Sequence, residues 1–323
     1  MRPDALTPAA VPTRRAFSER MAEYGAIDSD FVVFEADIGY STFSHLFGDR
    51  YPRRYFNMGI AEGNMVSAAA GMAADGRTVV ASSYGVFITM RALESVRTFV
   101  CYPDLNVKFL SSHGGFTPAI DGVTHQATED IANMTTLPNM KVLVPADTWA
   151  AKKLFDVAMQ TPGPVFVRLM RDPILDLYEE SDVFRMGGSR VVIEGSDVTI
   201  ATYGDIVFEA IGASAILAKE GIRAEVIDLY SVKPFDRETL LASLDKTGAL
   251  VVERREHVVD GAGGSVAAHA IQLLDVDGDH TTRCARAHLA SSWRLDSCSL
   301  RSTDDTWVST VRTDSTRSRA TSR

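Results

Sequence analysis

The run Asn57-Met58-Gly59-Ile60-Ala61-Glu62-Gly63-Asn64-Met65 sets one carboxylate at the head of a stretch of small residues. Glu62 could hold or share a proton there. Alone, it is better explained by the preference of acidic side chains for helix N-termini. His113, Asp121 and His125 share a glycine-rich stretch after an apolar run. Imidazoles exchange protons near neutral pH, and a carboxylate accepts hydroxyl hydrogen bonds. A polar turn or a structural His–Asp pair would use the same residues. A zinc site, and with it a metal hydrolase, is the weaker alternative, because the third ligand would have to be Asp or distant. Tyr84 and Phe87, three residues apart, read by themselves as core packing before a cofactor wall. Arg168 and Arg171 flank a strand end, where a guanidinium can take phosphate bidentately or pair with Asp172.

These residues need elements to position them. Apolar runs at 31–35, 78–82, 107–111, 141–144 and 165–169 read as buried strands, and 16–24, 59–74, 87–100, 128–135 and 148–160 as helices. A second alternation follows, with strands at 197–202, 223–228 and 249–253 and helices at 206–220, 237–247 and 264–274. Strands alternating with helices give an α/β fold: two consecutive three-layer domains with mostly parallel sheets. The expected domains are 1–185 and 190–275, divided near Gly187-Gly188. Ligands gather at the carboxyl ends of parallel strands, so the loop after residue 111 lies where chemistry is expected. From 276 to 323 the text changes: Ser, Thr and Arg dominate, and Lys, Glu, Pro, Phe and Tyr are missing. Such a segment has few means to build a core, and disorder is the expectation there.

The chain has 323 residues and a net charge of −9. That balance argues against a nucleic-acid partner or an anionic membrane surface, but not against a small anionic substrate. No run approaches a membrane span, and residues 1–15 lack the apolar core of a signal peptide. Cysteines 101, 284 and 298 make no metal or redox spacing. The expected location is cytoplasmic.

In this order and spacing the four groups resemble the transketolase family, over about Arg14–Gly264. The run Asp121-Gly122-Val123-Thr124-His125-Gln126, with His113 upstream, is its specific pattern. The helix opening Gly59-Ile60-Ala61-Glu62 is shared more widely among thiamine diphosphate enzymes. The resemblance implies a pyrimidine-binding domain followed by a transketolase C-terminal domain. Glu62 then matches the glutamate that hydrogen-bonds the cofactor's aminopyrimidine, Tyr84 and Phe87 the aromatic wall, and Asp37 an aspartate beside the cofactor. His113 and His125 match histidines that contact the donor's reacting oxygens and shuttle protons. Asp121 matches a residue recognising a sugar hydroxyl, and Arg14, Ser41 and Arg171 a sugar-phosphate site. Arg15 neighbours Arg14, so that assignment could shift by one. Met90 departs from the Tyr or Arg often found there, and the tail does not resemble the family's ending.

The resemblance does not extend to the family's N-terminal domain: its Gly-Asp-Gly segment and following Asn, which hold metal and diphosphate, have no counterpart in these 323 residues. Asp277-Gly278-Asp279 lacks that context. No metal ligands are therefore assigned to this chain, and Mg²⁺ is expected on a separate N-terminal-type partner in an α2β2 assembly. The implied activity is two-carbon ketol transfer between phosphorylated sugars. The alternatives are the β subunit of a 2-oxo-acid dehydrogenase, a deoxyxylulose-phosphate-synthase-like enzyme, and a catalytically impaired or regulatory subunit.

Overall fold

The structure is a computed structural model that describes residues 6–254, 300–303 and 306–312. In chain order the elements are β1 (Thr7–Pro8), α1 (Thr13–Tyr24), β2 (Val32–Glu35), α2 (Gly39–Thr42), α3 (His45–Arg50), β3 (Tyr55–Asn57), α4 (Glu62–Ala74) and β4 (Val79–Tyr84). Next come α5 (Leu93–Ser95), β5 (Val107–Ser112), α6 (Asp130–Thr136), β6 (Lys141–Leu143), α7 (Thr148–Gln160), β7 (Val165–Arg168) and β8 (Leu175–Asp176). The second half holds β9 (Arg190–Ile193), β10 (Val198–Thr202), α8 (Ile206–Lys219), β11 (Ala224–Asp228), β12 (Ser231–Lys233), α9 (Arg237–Thr247), β13 (Ala249–Arg254), β14 (Leu300–Thr303) and β15 (Thr306–Arg312).

The first sheet runs β12-β6-β7-β5-β4-β2-β3, parallel except for β12. Strand side chains alternate between faces, and here the alternation divides two cores. Val32, Phe34, Val79, Ala81, Val107 and Phe109 pack with Met65, Ala69, Ile88 and Met134. Val33, Val80, Leu110, Val165 and Val167 pack instead with Phe17, Met21, Leu154 and Phe155 of α1 and α7. Both faces are covered, as a parallel sheet requires. Helix α7 starts sharply because the Asp147 carboxylate accepts the Ala150 N–H at 2.7 Å, an N-cap.

Where a plain helix was expected at 87–100, α5 lies between two π-helical turns, Phe87–Arg91 and Val96–Cys101. A π turn closes i→i+5 bonds inside an otherwise helical run, and no residue type in 87–101 marks where it falls.

The second sheet runs β14-β15-β13-β10-β11-β9. Its centre, β13-β10-β11, is parallel, and its outer pairings are antiparallel. Two strand pairings cross the expected divisions. Strand β12 lies beyond the 185–190 boundary yet pairs with β6 of the first sheet. Lys233 on it donates to the carbonyls of Thr135 and Leu137, at 2.8 and 2.6 Å, closing the end of α6. Within the segment expected to be disordered, β14 and β15 form a pair that extends the sheet from β13. Backbone hydrogen bonding can recruit a strand with few apolar residues, which a composition argument overlooks. The helix expected at 264–274, the run 277–279 and the rest of the tail lie outside the described residues. Among the described residues no helix is long and apolar enough to cross a membrane.

Candidate active site

The parallel sheet delivers nearly every candidate residue to one edge. Asp37 and Ser41 follow β2, Glu62 follows β3, Tyr84 ends β4, and Phe87 follows it. His113, Asp121 and His125 come after β5, and Arg171 after β7. All are at or just past carboxyl ends of strands, where open α/β sheets bind ligands. Arg14 comes from the first turn of α1 and reaches the same edge with its side chain. Its Nε donates to the Arg171 carbonyl at 2.8 Å, and its Nη1 donates to the Ser41 carbonyl and, at 3.2 Å, to Ser41 Oγ. Arg15 pairs with Glu19 at 2.9 Å instead.

The Tyr84 hydroxyl donates to Ser41 Oγ at 2.6 Å. The Tyr84 ring centroid lies 3.9 Å from that of His113 and 5.6 Å from that of Phe87, nearly parallel to the latter at 21°. His125 stands edge-on to both rings, at 5.9 and 5.3 Å. Arg171 Nε is 3.8 Å from Asp121 Oδ2. Arg14, Ser41, Tyr84, Phe87, His113, Asp121, His125 and Arg171 thus make one connected cluster.

His113 is buried, with Nδ1 sharing a 2.8 Å hydrogen bond with Ser112 Oγ. Burial, reinforced by the nearby Arg14 and Arg171 guanidiniums, pushes its pKa down to about 3, so the imidazole is neutral across the physiological range. His113 and Asp37 both have left-handed backbone conformations, φ 61° and 63°. For non-glycine residues such geometry costs about 1–3 kcal/mol and is concentrated at functional sites.

Glu62 opens α4 and is only 4% exposed. The sequence shows this carboxylate at the head of a stretch of small residues. The structure adds a cation: Arg91 Nη1 donates to Glu62 Oε1 at 3.2 Å. Asp37 stands apart from the cluster, accepting from Asn57 Nδ2 at 2.9 Å. It lines a cavity of about 540 Å³ with Glu35, Ser41, Tyr55 and Asn57. Glu35 is itself buried, which pushes its pKa up, and its Oε2 accepts the Ile38 N–H at 2.8 Å.

Arg91, Ser112 and Asp130, which pairs with buried Arg168 at 3.0 Å, were not singled out in the sequence. Only Arg91 left a signal, as a basic residue four positions after an aromatic wall. Arg168 was read as a phosphate candidate, but it is 3% exposed and turned onto Asp130. Met90 is half exposed, and its Sδ accepts from Asn133 Nδ2 at 3.5 Å.

The arrangement fits an aminopyrimidine. A buried carboxylate can hydrogen-bond the ring edge, and Phe87 and Tyr84 are of the type to cover the ring's face, with Arg91 lying over Phe87 in this structure. Among the described residues no three His, Cys, Asp or Glu side chains converge to hold a metal ion.

A two-domain α/β chain with a carboxylate and aromatic wall at the sheet edge is the class defined so far. Comparison with known proteins makes the class specific. Residues 9–174 match the transketolase pyrimidine-binding domain, and residues 187–289 the transketolase C-terminal domain, which runs past the expected boundary at 275. The chain is 39% identical to a putative transketolase C-terminal section of Methanocaldococcus jannaschii, covering 79% of this chain and 80% of that one. It is 36% identical to a 6-deoxy-6-sulfo-D-fructose transketolase subunit of a Clostridium species, covering 79% of each. Human transketolase is 31% identical, with 81% of this chain and 42% of that protein covered. A solved structure of a split gene transketolase, an inactive beta4 tetramer, superposes with a TM-score of 0.75 at 37% identity, covering 83% and 86% of the two chains. The chain belongs to the transketolase family. Within it, the chain corresponds to the C-terminal sections that split transketolases carry as separate subunits.

Proposed function

We propose that this chain is the cofactor-activating half of a two-component, thiamine diphosphate-dependent transketolase that moves a two-carbon ketol unit between phosphorylated sugars. The observation that carries the reading is the buried Glu62 carboxylate beside the Tyr84–Phe87 wall, at the same sheet edge as the histidine and arginine cluster. Thiamine diphosphate supplies a carbon centre able to take up a carbonyl fragment and stabilise the electron pair left behind. Glu62 holds a proton at the aminopyrimidine, and Tyr84 and Phe87 fix the ring's plane. Asp37, oriented by Asn57, borders the neighbouring cavity.

His113 meets a substrate oxygen as a neutral hydrogen-bonding group, since burial keeps it from carrying charge. His125, half-buried and edge-on to Tyr84 and Phe87, is the second imidazole placed to meet a substrate oxygen. Arg171 with Asp121, and Arg14 with Ser41, present cations and hydroxyl acceptors suited to a sugar phosphate. That set suits a hydroxylated, phosphorylated substrate better than a short oxo acid, and so favours sugar transfer over oxo-acid decarboxylation.

The diphosphate and its Mg²⁺ are assigned to an N-terminal-type partner, with two copies of each chain closing a twofold assembly. Similarity to a putative transketolase C-terminal section and to a transketolase subunit, over 80% and 79% of their lengths, supports a division of the enzyme between two chains. The description of the split-gene relative as inactive supports a need for the partner.

The test is co-purification with an N-terminal-type partner and an assay of thiamine diphosphate-dependent transfer from a panel of ketose phosphates. The pair turns over and the single chain does not. Glu62→Ala lowers kcat by about 10²–10⁴-fold, the scale for losing a positioned proton-transfer group, without preventing assembly. Full turnover by the single chain, or an unaffected Glu62→Ala complex, overturns the reading.

A further inference from the structure

Arg91 occupies an unusual position. Its guanidinium carbon lies over the Phe87 ring, 4.0 Å from the centroid, while its Nη1 bonds Glu62 Oε1 at 3.2 Å. One planar group therefore covers an aromatic face and engages the buried carboxylate at its edge. These are the two contacts that the functional reading gives to the aminopyrimidine. Two planar groups cannot occupy the same face of Phe87 and the same oxygen of Glu62 at once.

The local backbone explains the geometry. Phe87–Arg91 is a π-helical turn, closed by Ala92 N–H to the Phe87 carbonyl at 3.1 Å. The wide turn brings residue 91 back over residue 87, and such turns recur at functional sites. The burial is asymmetric. Glu62 is 4% exposed and Phe87 9%, whereas the Arg91 side chain is 52% exposed. A nearly buried carboxylate needs a partner, since an unpaired charge there is costly. A guanidinium half in water is easily released, because solvent compensates most of what it loses.

We propose that Arg91 is a placeholder for the aminopyrimidine: it satisfies Glu62 and covers Phe87 until the cofactor enters, then withdraws towards solvent. The proposal rests on the pyrimidine-site reading above. It makes Arg91 a positioning residue, whose effect is on cofactor capture and on the stability of the chain before capture.

The experiment measures thiamine diphosphate binding to the complex with the partner subunit, by titration calorimetry for Kd and stopped-flow fluorescence for the association rate. The variants are Arg91→Ala and Arg91→Gln, which keeps a planar hydrogen-bond donor without the charge. Removing a competitor tightens binding. We expect Arg91→Ala to lower Kd by about 3–10-fold, the scale of one charge-assisted contact half open to water, with a faster association rate. Arg91→Gln falls between Arg91→Ala and wild type. Before cofactor is added, Arg91→Ala lowers the Tm of the isolated chain, and the loss shrinks in a Glu62→Gln background, where no buried charge is left behind. Arg91→Gln serves as the binding test if the alanine variant fails to assemble. Unchanged or weaker cofactor binding in both variants overturns the placeholder. Failure of the wild-type complex to bind thiamine diphosphate overturns the functional reading itself, so the two failures are distinguishable.

Discussion

His113 shows how one residue's surroundings set its chemistry. The sequence marks it as an imidazole near a strand end, which suggests a proton carrier. Its burial and the two nearby arginines instead hold it neutral, with a pKa near 3 against an ordinary 6.5. Between those values the unfolded chain binds a proton that the folded chain does not. Acid therefore draws the protein towards unfolding, and the stability at stake is complete above about pH 6.5 and lost as pH falls towards 3. Replacing His113 with Asn removes that proton from the balance. In urea titrations between pH 6.5 and 4, the variant's stability should fall less steeply, by up to one proton or about 1.4 kcal/mol per pH unit. Equal slopes would mean that His113 is protonated in the fold. The neighbouring residues were readable to different degrees. Glu62, Tyr84, Phe87 and the loop stood out as candidates because their types recur in an ordered pattern. The Glu62–Arg91 and Asp130–Arg168 contacts did not stand out, because a contact between residues about 30 or 40 positions apart has no trace in local spacing.

At the scale of elements, strands and long helices followed from periodicity. Helix α7 begins and ends at the residues expected, because an Asp N-cap and a regular apolar face both mark it. Short pieces were missed: α2, α3 and β3 are too brief to show a period. The loop from His113 to His125 is the element whose construction bears most on the site. It is held by paired backbone bonds between Gly115 and Ala127, at 3.1 and 3.0 Å, and by Gly114 N–H to the Leu169 carbonyl at 3.2 Å. Gly114 also lies hard against Arg168: a Cβ placed there would meet Arg168 Nε at 2.3 Å. Arg168 is itself fixed on Asp130 in the interior. Gly114→Ala must therefore displace either the loop or the ion pair. We expect a loss of about 1–3 kcal/mol in chemical denaturation, the usual range for forcing extra atoms into a packed site. Turnover of the partnered enzyme should fall too, since His113 is the next residue. Wild-type stability would show that the loop accommodates the methyl group without cost.

At the scale of the molecule, the two domains are joined by polar contacts that no boundary rule in the sequence reveals. Asp147, the N-cap of α7, also accepts the backbone N–H groups of Leu177 and Tyr178 at 2.7 and 2.6 Å. The Tyr178 hydroxyl then donates to Asp228 Oδ2, at the end of β11 in the second sheet, at 2.7 Å. A chain of hydrogen bonds thus crosses from the first domain's helix to the second domain's central strands. Asp228 is fully buried, and burial, with the nearby Asp147 carboxylate, pushes its pKa from 3.8 up to about 8. Across that interval the folded chain keeps a proton that the unfolded chain has released. The stability tied to this group is therefore complete below about pH 3.8 and is lost as pH rises through 8. Asp228→Asn has nearly the same shape and still accepts from Tyr178, but cannot ionise. Its Tm should match wild type near pH 4 and exceed it by a widening margin up to pH 8.5. A margin that stays constant with pH would mean that Asp228 is already ionised in the fold, and that the contact between the domains is held by a carboxylate rather than by a neutral acid.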